Sequence, residues 1–578
     1  MITALLRHPR LPAMVTALAV VLALPAMFAG YQADDWFHVA EVRGVMPLDE
    51  QREPAQSMFS FFDGDPARTA GLRDRGIVPW WVDDRIRASF WRPVTVWTHQ
   101  LDDAVAPLNP VFAHAHSIAW FALLVFLAAT LFRRIQGGDG ALVAGLAALL
   151  FAVDEAHGLP VGWLANRNSL ISGVLGFTVL LLYDLWRRDD ARWAGWLAPP
   201  VFALSLFSAE AALASTAYLF AYALFLDRGT LLVRALRLVP YGVIVVAWRV
   251  AYGARGFGTE GSGLYLDPVR EPLRYAPAAL ERIPMLLADQ LLNFPSMVPS
   301  FMPPTIRLTV SATVAIAVLL FCRLLYKRLG DSPALRFWVL GGLLATLPIA
   351  ATFPMPRLLV FVSLGGSAVL ASFILHARES EGWTHRVGTA LIVLHVGVAA
   401  LSLPVQAYLV KPLTETMFPC EEYAVRGPEA AQRTAIYVNS NDLCVAYVPI
   451  IRAVHDEPSP RVLLLSSALY AIELVGVDER TLEVHVPAGM HSNPADSLLR
   501  NPMDAIPVGE AVITPEATFV VQSHSDAGLV DVVRVTFTKP LTDPSYQWIC
   551  TVDRVGVPCA PPAPGETIEY PAGFTIGG

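Results

Sequence analysis

Charge is scarce in this chain. Of 578 residues only 16% are Asp, Glu, Lys or Arg, against 54% hydrophobic, and the mean hydropathy is +0.48. A soluble domain carries roughly 25% charged residues, so this composition excludes an ordinary soluble enzyme. The net charge of −8 argues against a nucleic-acid partner. There is no zinc-type Cys/His spacing, no P-loop and no GxGxxG after a strand. Internal repeats and low-complexity tracts are missing too. Cysteine is rare: Cys322 sits in an apolar run, while Cys420, Cys444, Cys550 and Cys559 all follow residue 410. Four in an oxidising compartment imply one or two disulfides, with three pairings open if both form.

Long apolar runs are what the chain has instead. The first covers 11–30, and others cover 117–132, 141–153, 170–186, 193–207, 211–226, 238–251, 308–326, 337–353, 358–375 and 387–409. The reading is a polytopic α-helical membrane protein with about eleven transmembrane helices. The first run follows Arg7 and Arg10 and is longer than a signal-peptide core, so it reads as a retained span. Basic clusters such as "FRRI", "WRRDDAR" and "CRLLYKR" fall in alternate connections. The positive-inside rule then places the amino terminus in the cytoplasm and the other connections on the exoplasmic side. The chain is expected in the inner (cytoplasmic) membrane of a bacterial cell.

Two exoplasmic loops are long, 31–110 and 252–307, and both are assigned with residues 1–410 to the membrane domain. Trp80, Trp81, Trp91 and Trp97 in the first suit short helices in the headgroup zone, or else a compact loop with aromatic packing. From about Lys411 the pattern changes to short β-branched stretches such as "TAIYVNSNDL" and "RTLEVHVP", separated by Pro, Asp, Asn and Gly. Residues 411–578 are therefore expected to form a soluble, mainly-β exoplasmic domain.

Chemistry is expected on the exoplasmic side. "YQADDWFHV" places Asp34 and Asp35 directly after the first span. A carboxylate there suits proton abstraction from a hydroxyl, a poor nucleophile until its proton is accepted. A lipid-phosphate leaving group needs cationic donors at headgroup depth, and Arg92, Arg167, Arg249 and Arg357 are placed to supply them. Each has a simpler reading: a solvated Asp-Asp turn, or arginines snorkelling to the headgroups. Glu210, between two apolar runs, is costly unless it lines a site or a wet turn.

The order of these motifs carries a resemblance. "YQADDWFH", "FWRPVTVWTHQLD", "LNPVFAHAHSIAW", "FAVDEAHGLPVGWLANRNSL", "LSLFSAEAAL" and "PMPRLLVF", in order over roughly residues 25 to 380, resemble GT-C superfamily membrane glycosyltransferases. The likeness is to the protein O-mannosyltransferase-like group, whose eukaryotic members carry TPR repeats that this chain lacks. The resemblance implies inverting transfer of a sugar from a polyprenyl-phosphate carrier to a hydroxyl of a protein or envelope glycan. It places the catalytic base on Asp35 or Asp34, with Asp35 slightly favoured. Donor and phosphate contacts fall on Arg92, His157, Trp163, Arg167 and Arg357, and other pocket residues on Asn109 and His114. Where the family has His-Pro, this chain has Asp154-Glu155. Its Lys-Glu pair appears as Ala209-Glu210. Asp154, Glu155 and Glu210 thus stand as a second acidic group.

The central expectation is that the acids and arginines share one pocket. No cofactor or metal is expected, although exoplasmic carboxylates suit Mg²⁺ or Mn²⁺. The rival functions are a degenerate scaffold or receptor working through its carboxyl-terminal domain, and a transporter of a lipid-linked substrate.

Overall fold

The computed structural model describes residues 2–48, 52–138, 140–329, 332–417, 419–490, 494–552 and 555–572. The chain divides into two compact units, Met1–Tyr31 with Phe90–Gly256 and Asp267–Val410, and Gln32–Ser89 with Phe257–Leu266 and Lys411–Gly578. The change of composition at 411 coincides with one division. However, 32–89 and 257–266, assigned above to the membrane domain, group with the carboxyl-terminal residues.

The first unit is helical, and each of the apolar runs lies mostly on helix. Seven helices among the described residues are long and apolar enough to cross a membrane, or eight if the bent pair Ala141–Val153 and Glu155–Gly162, at 42°, forms one span. The chain is an integral membrane protein. Other expected spans fall on shorter helices: Arg192–Leu206, Ala214–Phe225 and Pro333–Ile349. A hydrocarbon core of about 30 Å needs about 20 residues at 1.5 Å each, so length alone does not carry the expected eleven.

Small residues let these helices close on one another. A Cβ at Gly341 would lie 2.3 Å from the Tyr218 ring, and one at Gly365 2.5 Å from the Trp338 carbonyl oxygen. Tyr218 fills the space: its hydroxyl donates to Phe361 O at 2.6 Å and accepts from Gly365 N at 2.9 Å. At one end of the helix Arg167–Arg188, the buried Asp184 pairs with Arg134 at 2.6 Å and Arg188 at 2.9 Å.

The second unit is stitched from distant segments. Ser60–Asp63, Arg87–Ser89 and Gly258–Glu260 form a three-stranded antiparallel sheet. In a four-stranded sheet, Tyr546–Val552, Thr434–Asn439 and Arg461–Ser466 run parallel, with Val555–Pro558 antiparallel at the edge. The helix Asp442–Val454 joins two of the parallel strands, as a parallel crossover requires. Thr434–Asn439 is buried along its whole length, which accounts for its continuous apolar run. A six-stranded antiparallel sheet completes the unit. The carboxyl-terminal region is therefore a mixed α/β and β structure.

Trp80 and Trp81 belong to this unit's core, at 2% and 1% exposure. Trp80 stacks on Phe519 at 4.8 Å between ring centres, and its indole N–H donates to Leu465 O at 3.2 Å. Of the two readings of these tryptophans, aromatic packing holds for this pair. Trp97 is exposed on the helix Pro93–Val105. The disulfides are Cys420–Cys444 and Cys550–Cys559.

Candidate functional site

In the first unit the turn after the bent helix pair is held by close packing. Gly158 and Gly162 sit against the helix Ala399–Met417. A Cβ at Gly162 would fall 2.0 Å from Ala407 O, and one at Gly158 2.5 Å from the Gln406 side chain. Held there, the turn presents Trp163, Asn166 and Asn168.

Two arginines from distant segments meet this turn. Arg357, on the short turn Pro356–Leu358, donates from Nη1 to Asn166 Oδ1 at 3.2 Å. Its guanidinium stands 5.4 Å from the centre of the Trp163 ring, within cation–π range. Arg92 immediately precedes the helix Pro93–Val105. Its Nε and Nη2 donate to Glu210 Oε2 at 2.9 and 2.7 Å. With the Asn168 amide oxygen oriented toward it, Arg92 Nη1 donates to Asn168 at 3.1 Å. The other Glu210 oxygen accepts from Tyr252 Oη at 3.1 Å. Asn166 and Asn168 thus tie both guanidinium groups to one turn. Arg92, Glu210 and Arg357 each retain partial exposure.

Arg167, expected to hold donor phosphate, is sealed instead, with 0% exposure. Its guanidinium pairs with Asp102 and donates to Ser117 Oγ at 2.9 Å and Ala113 O at 2.7 Å. Asp102 also meets His116 Nδ1 at 2.7 Å, whose Nε2 accepts from Trp120 at 3.0 Å. An arginine with its donors spent inside protein is an internal strut, joining the helices Pro93–Val105, Pro110–Gln136 and Arg167–Arg188. Asp102 stood in "FWRPVTVWTHQLD" without being singled out. The signal available was that a buried arginine needs a carboxylate.

The other expected positions have surroundings of their own. His157 is fully buried, 4.5 and 5.6 Å from the rings of Phe151 and Phe121. His114 is buried with Nε2 2.9 Å from Gly30 O, and Asn109 caps its helix by accepting from Phe112 N at 3.1 Å. Asp154 braces helices: its Oδ2 accepts from Ser363 Oγ at 2.9 Å and Gln290 Nε2 at 3.1 Å. Glu155 stands beside it, half-buried. Arg249 pairs with Asp267 at 2.6 Å.

Asp34 and Asp35 lie in the second unit, where they open the helix Asp34–Arg43. Acids in a first turn are favoured by the unpaired amides there. Ala33 just before them has φ of +48°, an uncommon conformation for a residue with a Cβ. Asp35 is 1% exposed, and its Oδ2 accepts from Gln32 N at 2.9 Å. Asp34 is half-buried and its Oδ1 accepts from Tyr447 Oη at 2.6 Å. Burial and the neighbouring Asp34 carboxylate push the Tyr447 hydroxyl well above its ordinary pKa, which keeps it a donor. Tyr447 lies on the helix Asp442–Val454, with Trp36 5.5 Å from His455 at its end. Nothing local in the sequence marks Tyr447, 413 positions from its partner. Two further acids were missed. Burial raises Asp442 to about 6 and also raises Asp496, where the Asp442 charge adds to the effect. Both Asp496 oxygens lie 2.8 Å from Ser467 Oγ.

Among the described residues no three His, Cys, Asp or Glu side chains gather as a metal centre requires.

No family model matches the chain, and no curated protein does. Solved structures do. The chain is similar to archaeal oligosaccharyltransferase AglB from Archaeoglobus fulgidus, in complex with an inhibitory peptide and a dolichol-phosphate. Identity is 11% and the TM-score 0.40, over 78% of this chain and 64% of that one. It is similar to ArnT from Cupriavidus metallidurans bound to undecaprenyl phosphate, at 14% identity and TM-score 0.39 over 78% and 89%. For arabinosyltransferase EmbB from Mycobacterium smegmatis the identity is 12% and the TM-score 0.25, over 98% and 61%. The chain spans just under two thirds of the length of the oligosaccharyltransferase.

Proposed function

We propose that this protein is an inverting glycosyltransferase that moves a sugar from a polyprenyl-phosphate carrier to a hydroxyl of a protein or envelope glycan. The observation that carries the reading is the meeting of Arg357 and Arg92 on the Asn166 and Asn168 turn. Planar guanidinium groups with forked donors match phosphate oxygens; here Arg357 is anchored by the Asn166 amide, and Arg92 by the Glu210 carboxylate together with the Asn168 amide. The ordered motifs that resemble GT-C enzymes support the same reading. The amino terminus is then cytoplasmic, and the chemistry takes place on the exoplasmic side.

The assignment of roles differs from the one the sequence suggested. Arg357 and Arg92 hold the carrier phosphate, while Arg167 maintains the helices that position them. Asp34 accepts the proton of the attacking hydroxyl, because it is the less buried acid and Tyr447 fixes its orientation. Asp35 shapes the start of the helix. Attack at the anomeric carbon forms the new glycosidic bond and breaks the bond to phosphate oxygen. Charge then gathers on the departing polyprenyl phosphate, where the arginines stabilise it. A general base contributes about 10²–10⁴ in rate.

The test is a mass-spectrometric comparison of cell-envelope glycans from cells with the wild-type gene, without it, and with Asp34→Ala or Arg357→Ala. One sugar missing from the deletion and both variants, with normal amounts of protein in the membrane, is the expected result. Wild-type glycans in both variants would overturn the reading.

A further inference from the structure

The first unit carries a second feature, away from the partly exposed Arg92 and Arg357. At the Arg188 end of the helix Arg167–Arg188 there is an open-sided cavity of about 330 Å³, set between that helix, Arg192–Leu206 and Leu231–Ala254. The 22-residue helix spans about 33 Å at 1.5 Å per residue, so the cavity lies at the opposite end from the Asn166 turn.

Its shape follows from the sequence. Pro199 and Pro240 lie inside their helices, where each removes a backbone donor and bends the path. Gly195 lets the Trp186 indole lie flat against the neighbouring helix, because a Cβ there would fall 2.7 Å from the ring. The walls are mostly apolar, with Arg237 the charged residue and Tyr241 bringing a hydroxyl. At the rim, Arg237 Nη1 meets both oxygens of Asp227 at 2.9 Å, and Arg187 Nε meets the same carboxylate at 2.9 Å. Two guanidinium groups against one carboxylate leave an excess positive charge beside an apolar slot. Both arginines keep part of their side chains exposed, 21% for Arg237 and 14% for Arg187.

We infer that this cavity is a binding site for an anionic glycerophospholipid. One acyl chain lies in the slot between Trp186 and Leu236, and the headgroup phosphate is held by Arg237 with Arg187 behind it. Basic pockets between membrane helices recognise anionic headgroups in this way, and a zwitterionic lipid lacks the net charge to balance the rim. The site is independent of the sugar-transfer reading, since no residue of it takes part in that chemistry.

Native mass spectrometry of the full chain in detergent tests this, using phosphatidylglycerol and phosphatidylcholine with identical acyl chains. The wild type is expected to retain one phosphatidylglycerol with at least tenfold preference. Arg237→Gln is expected to abolish the preference. Leu236→Trp, which fills the slot and leaves the ion cluster whole, is expected to lose that bound lipid with the fold intact by circular dichroism. Equal binding of the two lipids by wild type, or an unchanged preference in folded Arg237→Gln or Leu236→Trp, would overturn the proposal. Displacement of phosphatidylglycerol by equimolar undecaprenyl phosphate would also overturn it, by making the slot a carrier site.

Discussion

Arg167 and Arg357 begin alike. Each lies in a motif of the same resemblance, and each was expected beside the donor phosphate. In the structure one is closed off against Asp102 and the other stands half-exposed on Asn166 and Trp163. The difference lies in the partner. A carboxylate partner neutralises the Arg167 guanidinium and permits its complete burial, whereas an amide and an aromatic face orient the Arg357 charge while it keeps partial exposure. A sequence motif names the arginine; the residue opposite decides whether it supports the fold or meets a ligand.

That contrast can be broken by mutation. The largest effect is expected at the closed pair. Arg167→Ala leaves Asp102 buried without its counter-charge and should cost about 3–5 kcal/mol, seen as loss of folded protein from the membrane. Arg357→Ala should leave the protein level unchanged and lower transfer by about 10²–10³. If both variants lost folded protein equally, the contrast would fail.

Tyr447→Phe should reduce transfer by about tenfold, the scale of a hydrogen bond to a charged group. It should also move the acidic limb of the pH–rate profile upward, because the carboxylate loses a donor that favours its charged form. A purely structural role would lower the rate at all pH values alike. A gentler effect concerns Asp442, which burial raises from 3.8 to about 6. Between those values the folded state holds a proton that the unfolded state has released. Stability should therefore be greatest below about pH 4 for this group and fall until about pH 6. Asp442→Asn should flatten that slope in a thermal melt. EDTA is expected to leave turnover unchanged, the smallest effect of all; loss of activity restored by Mn²⁺ would contradict it.

Much of the first unit was legible because apolar runs and alternating charge report directly on helices in a bilayer. Asp34 and Asp35 stand out as candidates because they closely follow the first apolar run, and Arg357 because it directly precedes another; Arg92 lies within a long loop. What escaped was every feature made by distant pairing. Asp102 lay within a quoted motif, yet its role depends on a helix 65 positions away. The "VPWW" tryptophans are open to either an interface or aromatic packing in the sequence and lie in the core, since interleaving with charge does not distinguish a membrane surface from a folded sheet. Residues 32–89 could not be assigned by composition, because their contacts are with strands far along the chain.

That last point bears on how the protein is made. Trp80 leaves the ribosome long before Leu465, its partner 385 positions later. The segment bearing Asp34 must therefore wait, unburied, while most of the membrane helices are inserted. A chain that stopped before Leu465 would leave the Trp80 indole without that partner.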